Sequence, residues 1–244
     1  MYNTIKKVIA AVLPKRFLVK NEQLFRKIYY LFYIGNKHQC TICLKKNRSF
    51  VENHRGEKLC PNCGSMPRDR RLYLEFNKMV AQDRSITLLE FSPSRSLYRT
   101  FKKRKNITYY PTDLSTDFIA EYKYDITNIP IENDYFDFIL CYHILEHVEN
   151  DIQAMTELYR VLSPTGKVFV QTPFKAGEIY ENPAITTPEE RLKHFGQADH
   201  VRIYSIEGLK KRLSEAGFHV QVHTFEADVY HGLNDNETIL ELSK

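Results

Sequence analysis

The 244-residue chain predicts an α/β protein: a mostly parallel sheet with helices on both faces, preceded by a smaller basic front. Three observations lead there. From residue 86 onward, short apolar runs alternate with stretches of helical period, a pattern that requires crossover connections and therefore parallel strands. Four of the five cysteines fall between Cys40 and Cys63, and Cys141 stands alone. Residues 1–71 carry 16 Lys/Arg against 4 Asp/Glu, a surplus of +12, whereas residues 72–244 carry 19 against 26, and the net charge is +5. The hydrophobic content of 43% supports a sizeable core and excludes a disordered chain or a fibre. The cysteines are too few and too unevenly placed for a disulfide scaffold, which points to a reducing compartment. No apolar run reaches the ~18 residues of a membrane span. The N-terminus lacks a small-residue cleavage site, so a cytoplasmic protein is expected.

Within the front, Ile5, Val8, Ile9 and Val12 recur at helical spacing until Pro14, and Leu24, Phe25, Ile28, Leu31 and Phe32 repeat the pattern until Gly35. Lys6, Lys7, Lys20, Arg26 and Lys27 supply the opposite faces. Residues 1–36 are therefore expected to form a basic amphipathic segment. It either packs on the body or, through residues 1–35, lies on the anionic inner face of a membrane.

Cys40-Thr-Ile-Cys43 and Cys60-Pro-Asn-Cys63 follow, two C-x2-C knuckles separated by 16 residues. Each tight turn aims two thiolates at one point, and four sulfurs close a tetrahedron, so residues 37–66 are read as a structural zinc ribbon with short strands at Ser49–Val51 and Lys58–Leu59. His38 and His54 are substitute ligands. Residues 67–84 form a connection, with a helix over Met66–Met79.

The body spans residues 85–244. Strands are expected at Ile86–Phe91, Ile107–Tyr110, Phe136–Cys141 and Lys167–Gln171, and helices at Ser96–Lys103, Asp151–Leu162 and Ile206–Ala216. Phe218–Phe225 and Thr238–Leu242 form a closing hairpin. Residues 174–200 show no clear period and read as a lid or substrate loop. An open α/β sheet binds ligands at the carboxyl ends of its strands, which directs attention to Glu90 to Ser94, Asp113, Asp125 and Cys141 to His147. An acid about 20 residues past the first strand commonly grips ribose hydroxyls, and Asp113 sits there.

With these residues in place, residues 84–244 resemble the class I S-adenosylmethionine-dependent methyltransferases, in their small-molecule, type 11-like branch. The resemblance rests on Phe136-Asp137-Phe138-Ile139-Leu140-Cys141-Tyr142-His143-Ile144-Leu145-Glu146-His147-Val148 and on Leu158 to Val170. It implies a Rossmann-like, seven-stranded sheet whose last strand is antiparallel. It further implies that Asp113 and the following Leu114 bind ribose, that Asp125 and Ile126 meet the adenine, and that Cys141, Tyr142 and His143 face the methionine end and the acceptor. The family's first loop reads acid-x-Gly-x-Gly; here Glu90, Phe91, Ser92, Pro93 and Ser94 form a loop with no glycine. A subset of bacterial members with an N-terminal zinc ribbon is similar in carrying Pro in this loop. That subset also shares Cys-Pro-x-Cys-Gly-Ser followed by arginines, and a His-x-Arg-x-Tyr segment, here His200, Arg202 and Tyr204.

On this reading the chain transfers a methyl group from S-adenosylmethionine to a small-molecule or glycan acceptor. His143 acts as general base. His200, Arg202 and Tyr204 contact the acceptor, with His194 a weaker candidate. Three alternatives stand beside it. The basic, zinc-bearing front could serve an RNA acceptor. The fold could be a degenerate cofactor binder or adaptor. Finally, His143-Ile-Leu-Glu146-His147 formally matches an H-x-x-E-H metalloprotease string. That string requires a helix, whereas His143 is expected to end a strand. A metal cluster of His143, Glu146, His147 and a later histidine is the milder form of that idea.

Overall fold

A computed structural model describes residues 21–53, 56–81, 83–115 and 117–244. The helix expected over residues 2–13, with Lys6, Lys7 and Lys20, and the substitute ligand His54 lie outside the described residues. In chain order the elements are α1 (Glu22–Tyr30), a 3₁₀ turn (Leu31–Tyr33), β1 (Ile34–Gln39), β2 (Lys46–Asn47), β3 (Val51–Glu52), β4 (Lys58–Leu59), α2 (Pro67–Met79), β5 (Ile86–Phe91), α3 (Arg95–Phe101), β6 (Ile107–Thr112) and β7 (Phe136–Tyr142). A 3₁₀ turn (Leu145–His147), α4 (Asp151–Val161), β8 (Leu162–Gln171), β9 (Tyr180–Glu181), α5 (Pro188–Phe195), β10 (Arg202–Ile203), α6 (Ile206–Glu215), β11 (His219–Phe225) and β12 (Glu237–Ser243) complete it. No helix among the described residues is long and apolar enough to cross a membrane.

The chain divides into two compact units. The first comprises the described residues up to Arg84 with Ser94–Arg104 and Phe225–Glu237. Its helix α2 begins with Pro67, whose missing N–H suits the first turn, and the Asp69 carboxylate accepts the Met66 N–H at 2.9 Å. Leu72 and Phe76 of α2 are buried together with Leu97 and Phe101 of α3, and the Phe76 and Phe101 rings meet edge to face at 5.0 Å. Arg70 is fully buried. Its guanidinium donates to the carbonyls of Ser65 (2.6 Å), Lys58 (2.9 Å), His231 (2.9 Å) and Gly232 (2.5 Å), and it lies over the Phe50 ring. Arg71 is buried too, donating to the Glu226 carbonyl at 2.7 Å and pairing with Glu237 at 3.7 Å. Part of the basic surplus of the front is therefore internal scaffolding.

The second unit comprises Ser85–Pro93, Lys105–Thr224 and Thr238–Lys244. Its sheet has the order β11-β12-β8-β7-β5-β6. β6, β5, β7 and β8 run parallel, and β12 runs antiparallel to β8 through Leu240↔Val170 and Leu242↔Val168. The expected antiparallel last strand is present. Beside β6, where a seventh strand would pair, a single parallel bridge joins Thr112 to Tyr122. The central strands bury apolar residues on both faces, Leu88, Phe138, Leu140 and Phe169 on one and Leu89, Ile139, Cys141, Val168 and Val170 on the other. Ala154, Met155, Leu158 and Val161 of α4, and Leu209 and Leu213 of α6, close over Leu89, Ile139, Cys141, Val168 and Val170.

The segment 174–200, read from its lack of period as a lid or substrate loop, contains regular elements. Tyr180–Glu181 pairs antiparallel with Arg202–Ile203, and α5 starts at a capping box in which the Thr187 hydroxyl accepts the Glu190 N–H at 3.3 Å. Gly196 ends that helix at φ 82. Thr-Pro-Glu-Glu is a legible helix start, masked in the sequence by the weak apolar period of an exposed helix.

Candidate functional site

The zinc knuckles repeat one turn twice. Leu44 and Gly64, each directly after the second cysteine of its pair, have φ 56 and 80, and their N–H groups donate to Cys40 (3.0 Å) and Cys60 (2.9 Å) carbonyls. The turns bring Cys40 Sγ to 3.6 Å from Cys63 Sγ and Cys43 Sγ to 3.7 Å from Cys60 Sγ. A tetrahedral ion with Zn–S bonds of ~2.3 Å spaces its sulfurs about 3.8 Å apart, so the cluster fits Zn2+. Hydrogen bonds from Cys43, Cys60 and Cys63 hold the Cys40 thiol low, whereas Cys60 is pushed up by Cys40 and Cys43. Crowded thiolates repel one another, and a divalent cation relieves the conflict.

The second cluster lies at the carboxyl ends of three neighbouring strands of the sheet unit. Glu90 stands opposite Leu140 of β7 and Pro111 of β6, so the loops after β5, β6 and β7 emerge side by side. Glu90 is buried and accepts a short hydrogen bond from the Tyr109 hydroxyl. Ser92 sits at φ 46, the left-handed region that glycine occupies freely. The glycine-free loop thus keeps a glycine-like backbone. Two bonds fix it: the Ser92 N–H donates to the Thr112 carbonyl at 2.8 Å, and the Ser92 hydroxyl donates to the Asp113 carboxylate at 2.7 Å. Asp113 is buried and also accepts Ser115 Oγ at 3.0 Å, and two carboxylate oxygens have capacity beyond these two hydroxyls. Leu114 and, nearby in sequence, Phe118 and Tyr122 are exposed apolar residues. Sequence reasoning named only the first of these three.

Other predicted positions fall differently. Pro93 is buried, and the Ser94 hydroxyl accepts the Leu97 N–H at 3.3 Å as the cap of α3. Asp125 is exposed and accepts the Thr127 N–H (2.8 Å) and hydroxyl (2.7 Å), a local turn, while Ile126 and Phe91 pack in the core. The Cys141 side chain is wholly within the core, where burial, with the Glu146 charge, pushes its thiol well up. The cleft-lining role expected of that side chain is corrected, because it points to the sheet face that α4 and α6 cover. Tyr142 is half-buried.

His143 follows β7 at φ 56, in the left-handed region like Leu44 and Ser92. Its Nδ1 lies 3.2 Å from Glu146 Oε1. Burial works to raise Glu146, but the His143 hydrogen bond and charge hold its carboxyl below the usual range. His147 Nδ1 faces the Asp199 carbonyl (3.3 Å) and carboxylate (3.2 Å), and its ring meets that of His200 edge on at 4.6 Å. His200 is buried, which, with His147, pushes its imidazole toward the neutral form.

Arg202 and Tyr204, expected to touch the acceptor, are structural. Arg202 is buried and donates to the carbonyls of Leu145 (3.2 Å), Val148 and Glu149 (2.9 Å), and to the Glu181 carboxylate at 2.8 Å. The Tyr204 hydroxyl donates to Asp151 at 2.6 Å, and Arg212 reaches the same carboxylate at 2.6 Å while also binding Glu181. This network saturates its own members. Asp151, Glu181 and Arg212 escaped the sequence reading because 30 or more residues separate them, and no local pattern pairs them. His194, on α5, is exposed and lies 2.7 Å from the Tyr180 hydroxyl.

A family model described as a methyltransferase domain matches residues 67–223. Among solved structures, a [4+2]-cyclase, SpnF, is 15% identical, with 91% of this chain and 94% of that chain covered and a TM-score of 0.52. An S-adenosylmethionine-dependent methyltransferase from Mesorhizobium loti is 13% identical, with 70% and 97% covered and a TM-score of 0.51. Another from Archaeoglobus fulgidus is 15% identical, with 74% and 95% covered and a TM-score of 0.50. None of the curated proteins matches the chain. At these identities the structural likenesses speak for the fold, which hosts more than one chemistry. The family match over well more than half of the chain, together with the acid and left-handed loop at the strand ends, makes it a member of the S-adenosylmethionine-dependent class I methyltransferases.

Proposed function

We propose that the protein transfers a methyl group to a small-molecule or glycan-type acceptor, with the zinc ribbon serving structure alone. The observation that carries this is the pairing of Ser92 with the Asp113 carboxylate at the ends of adjacent strands. It supports a close-approach backbone turn beside an acid placed to hold ribose, without the usual glycines. When bound, S-adenosylmethionine supplies a methyl group activated by its sulfonium sulfur. Glu90, Phe91, Ser92, Pro93 and Ser94 form the loop that would cradle it, Asp113 and Leu114 its ribose site, Asp125 and Ile126 its adenine side, and the strand end at Tyr142 its methionine side.

His143 is the proposed general base. Glu146 holds its Nδ1, and Nε2 has no hydrogen-bond partner among the described residues. A carboxylate at Nδ1 fixes the ring and its tautomer, which leaves Nε2 to take the proton of an acceptor hydroxyl. The remaining acceleration comes from alignment, which asks for rigid strand ends more than for reactive side chains. Four thiolates leave no open coordination position, which supports a structural zinc. The RNA-acceptor alternative rests on the charge surplus of the front, and two of its arginines, Arg70 and Arg71, are buried against main-chain carbonyls. A small acceptor is therefore preferred.

Calorimetric titration with S-adenosylmethionine tests the reading. Saturable binding at one site per chain is expected, and Asp113→Ala should weaken it at least tenfold. No binding at millimolar ligand would leave only the adaptor alternative.

A further inference from the structure

We propose that Glu146, His147 and His200 form a second metal site, which takes a divalent transition-metal ion between the 3₁₀ turn after β7 and the segment leading into β10. One ligand atom from each of the three residues lies within 4.8 Å of the others. An ion with bonds of about 2.0–2.2 Å spaces its ligands about 3–3.5 Å apart, so closure is a matter of small side-chain adjustments.

Two ligand-type atoms at this point have no hydrogen-bond partner among the described residues. They are Glu146 Oε2 and His200 Nε2, both buried. Buried polar groups are nearly always satisfied, and two orphans of complementary ligand type at one place call for a common partner. The groups behind them are already arranged as ligand supports. His147 Nδ1 faces Asp199, which leaves its other nitrogen for a ligand, and Glu146 Oε1 is taken by His143.

Segments more than fifty residues apart are pinned here. The Val201 N–H donates to the Glu146 carbonyl at 2.9 Å, and Arg202 clamps the carbonyls of Leu145, Val148 and Glu149. The cluster is thus held by backbone bonds on both sides rather than by chance proximity of long side chains.

Two imidazoles and one carboxylate suit Zn2+, Mn2+ or Fe2+ better than Mg2+ or Ca2+, which prefer oxygen. Three protein ligands leave an open position, unlike the closed ribbon. That position would take an acceptor oxygen, a role that rests on the methyl-transfer reading; the presence of the ion does not.

The test uses the full chain with zinc in its ribbon, titrated with MnCl2 and followed by calorimetry and water-proton relaxation. Mn2+ is chosen because it avoids thiolates. One Mn2+ per chain is expected, with affinity reduced at least tenfold in His200→Ala and in His147→Gln at unchanged zinc content. A wild-type chain that takes up neither Mn2+ nor a second Zn2+ overturns the proposal, as do variants that bind like wild type. Should His200→Ala lower the melting temperature, His147→Gln decides, since its side chain is partly exposed. Failure of S-adenosylmethionine binding leaves this metal count unaffected, so the two readings fail separately.

Discussion

The ribbon and the carboxyl edge of the sheet each gather side chains around a point, but they collect them over different distances along the chain. In the ribbon, each pair of sulfurs is three residues apart and one turn aims them, with Leu44 and Gly64 in matching left-handed positions. At the sheet edge, Ser92 meets Asp113, and His147 meets His200, only because the strands and the Arg202 network place them so. A local site is specified by spacing and needs its ion to fold. A distributed site is specified by the fold and exists before any ligand arrives.

The sharpest way to break that contrast is to remove a sulfur. Cys60→Ser should abolish stoichiometric zinc, and with it the apparent ~10–16 kcal/mol that such an ion contributes to a small metal-nucleated unit. Hydrogen exchange should then rise to unprotected rates across β1 to β4 while β5, β7 and β8 stay protected. Retained zinc, or equal loss of protection in the sheet, would show that the ribbon does not depend on its ion in this way.

The same contrast explains what was legible beforehand. The four zinc ligands, α2, the strands β5 to β8 and the antiparallel last strand are visible as spacing or period. The left-handed Ser92 was hidden, since nothing in a Ser-Pro-Ser string announces positive φ; only its place in a loop that normally holds glycine hints at it. Arg202 and Tyr204 stand out as a motif, yet the motif does not reveal that both are buried and structural. Their partners Asp151, Glu181 and Arg212 lie in three other segments, and burial is a property of the assembled network. Helix α5 within residues 174–200 is not legible as a period because a mostly exposed helix has few apolar positions to read.

An acid titration probes the distributed network at intermediate strength. The Arg212 and Arg202 guanidiniums hold the Glu181 carboxyl down to about 2 from an ordinary 4.5. A lowered folded-state value means that the stabilisation is complete above about pH 4.5 and fades as pH falls toward about 2. Glu181→Gln should lower stability near neutral pH by roughly 1 kcal/mol, a modest figure because the carboxylate is about one-third exposed. The thermal midpoint should drop by about 2–4 °C, and the difference from wild type should shrink on acidification. A gap that stays constant from pH 7 to pH 2 would assign the loss to packing instead of charge.

The smallest expected effect bears most directly on the cofactor loop. Ser92 carries two opposing contributions, a left-handed backbone that disfavours any side chain by about 1 kcal/mol and a hydroxyl bond to a buried carboxylate that stabilises by about 1.5–3 kcal/mol. Ser92→Ala keeps the strain and loses the bond. Ser92→Gly loses both. Neither variant alone separates the two, but their difference does: the glycine variant should be more stable than the alanine variant by about 1 kcal/mol in denaturant midpoint at constant slope. Equal stabilities would mean that the loop relaxes out of the left-handed region when the Asp113 bond is removed. The bond to the acid, rather than the preceding strand, would then hold the turn in its glycine-like form.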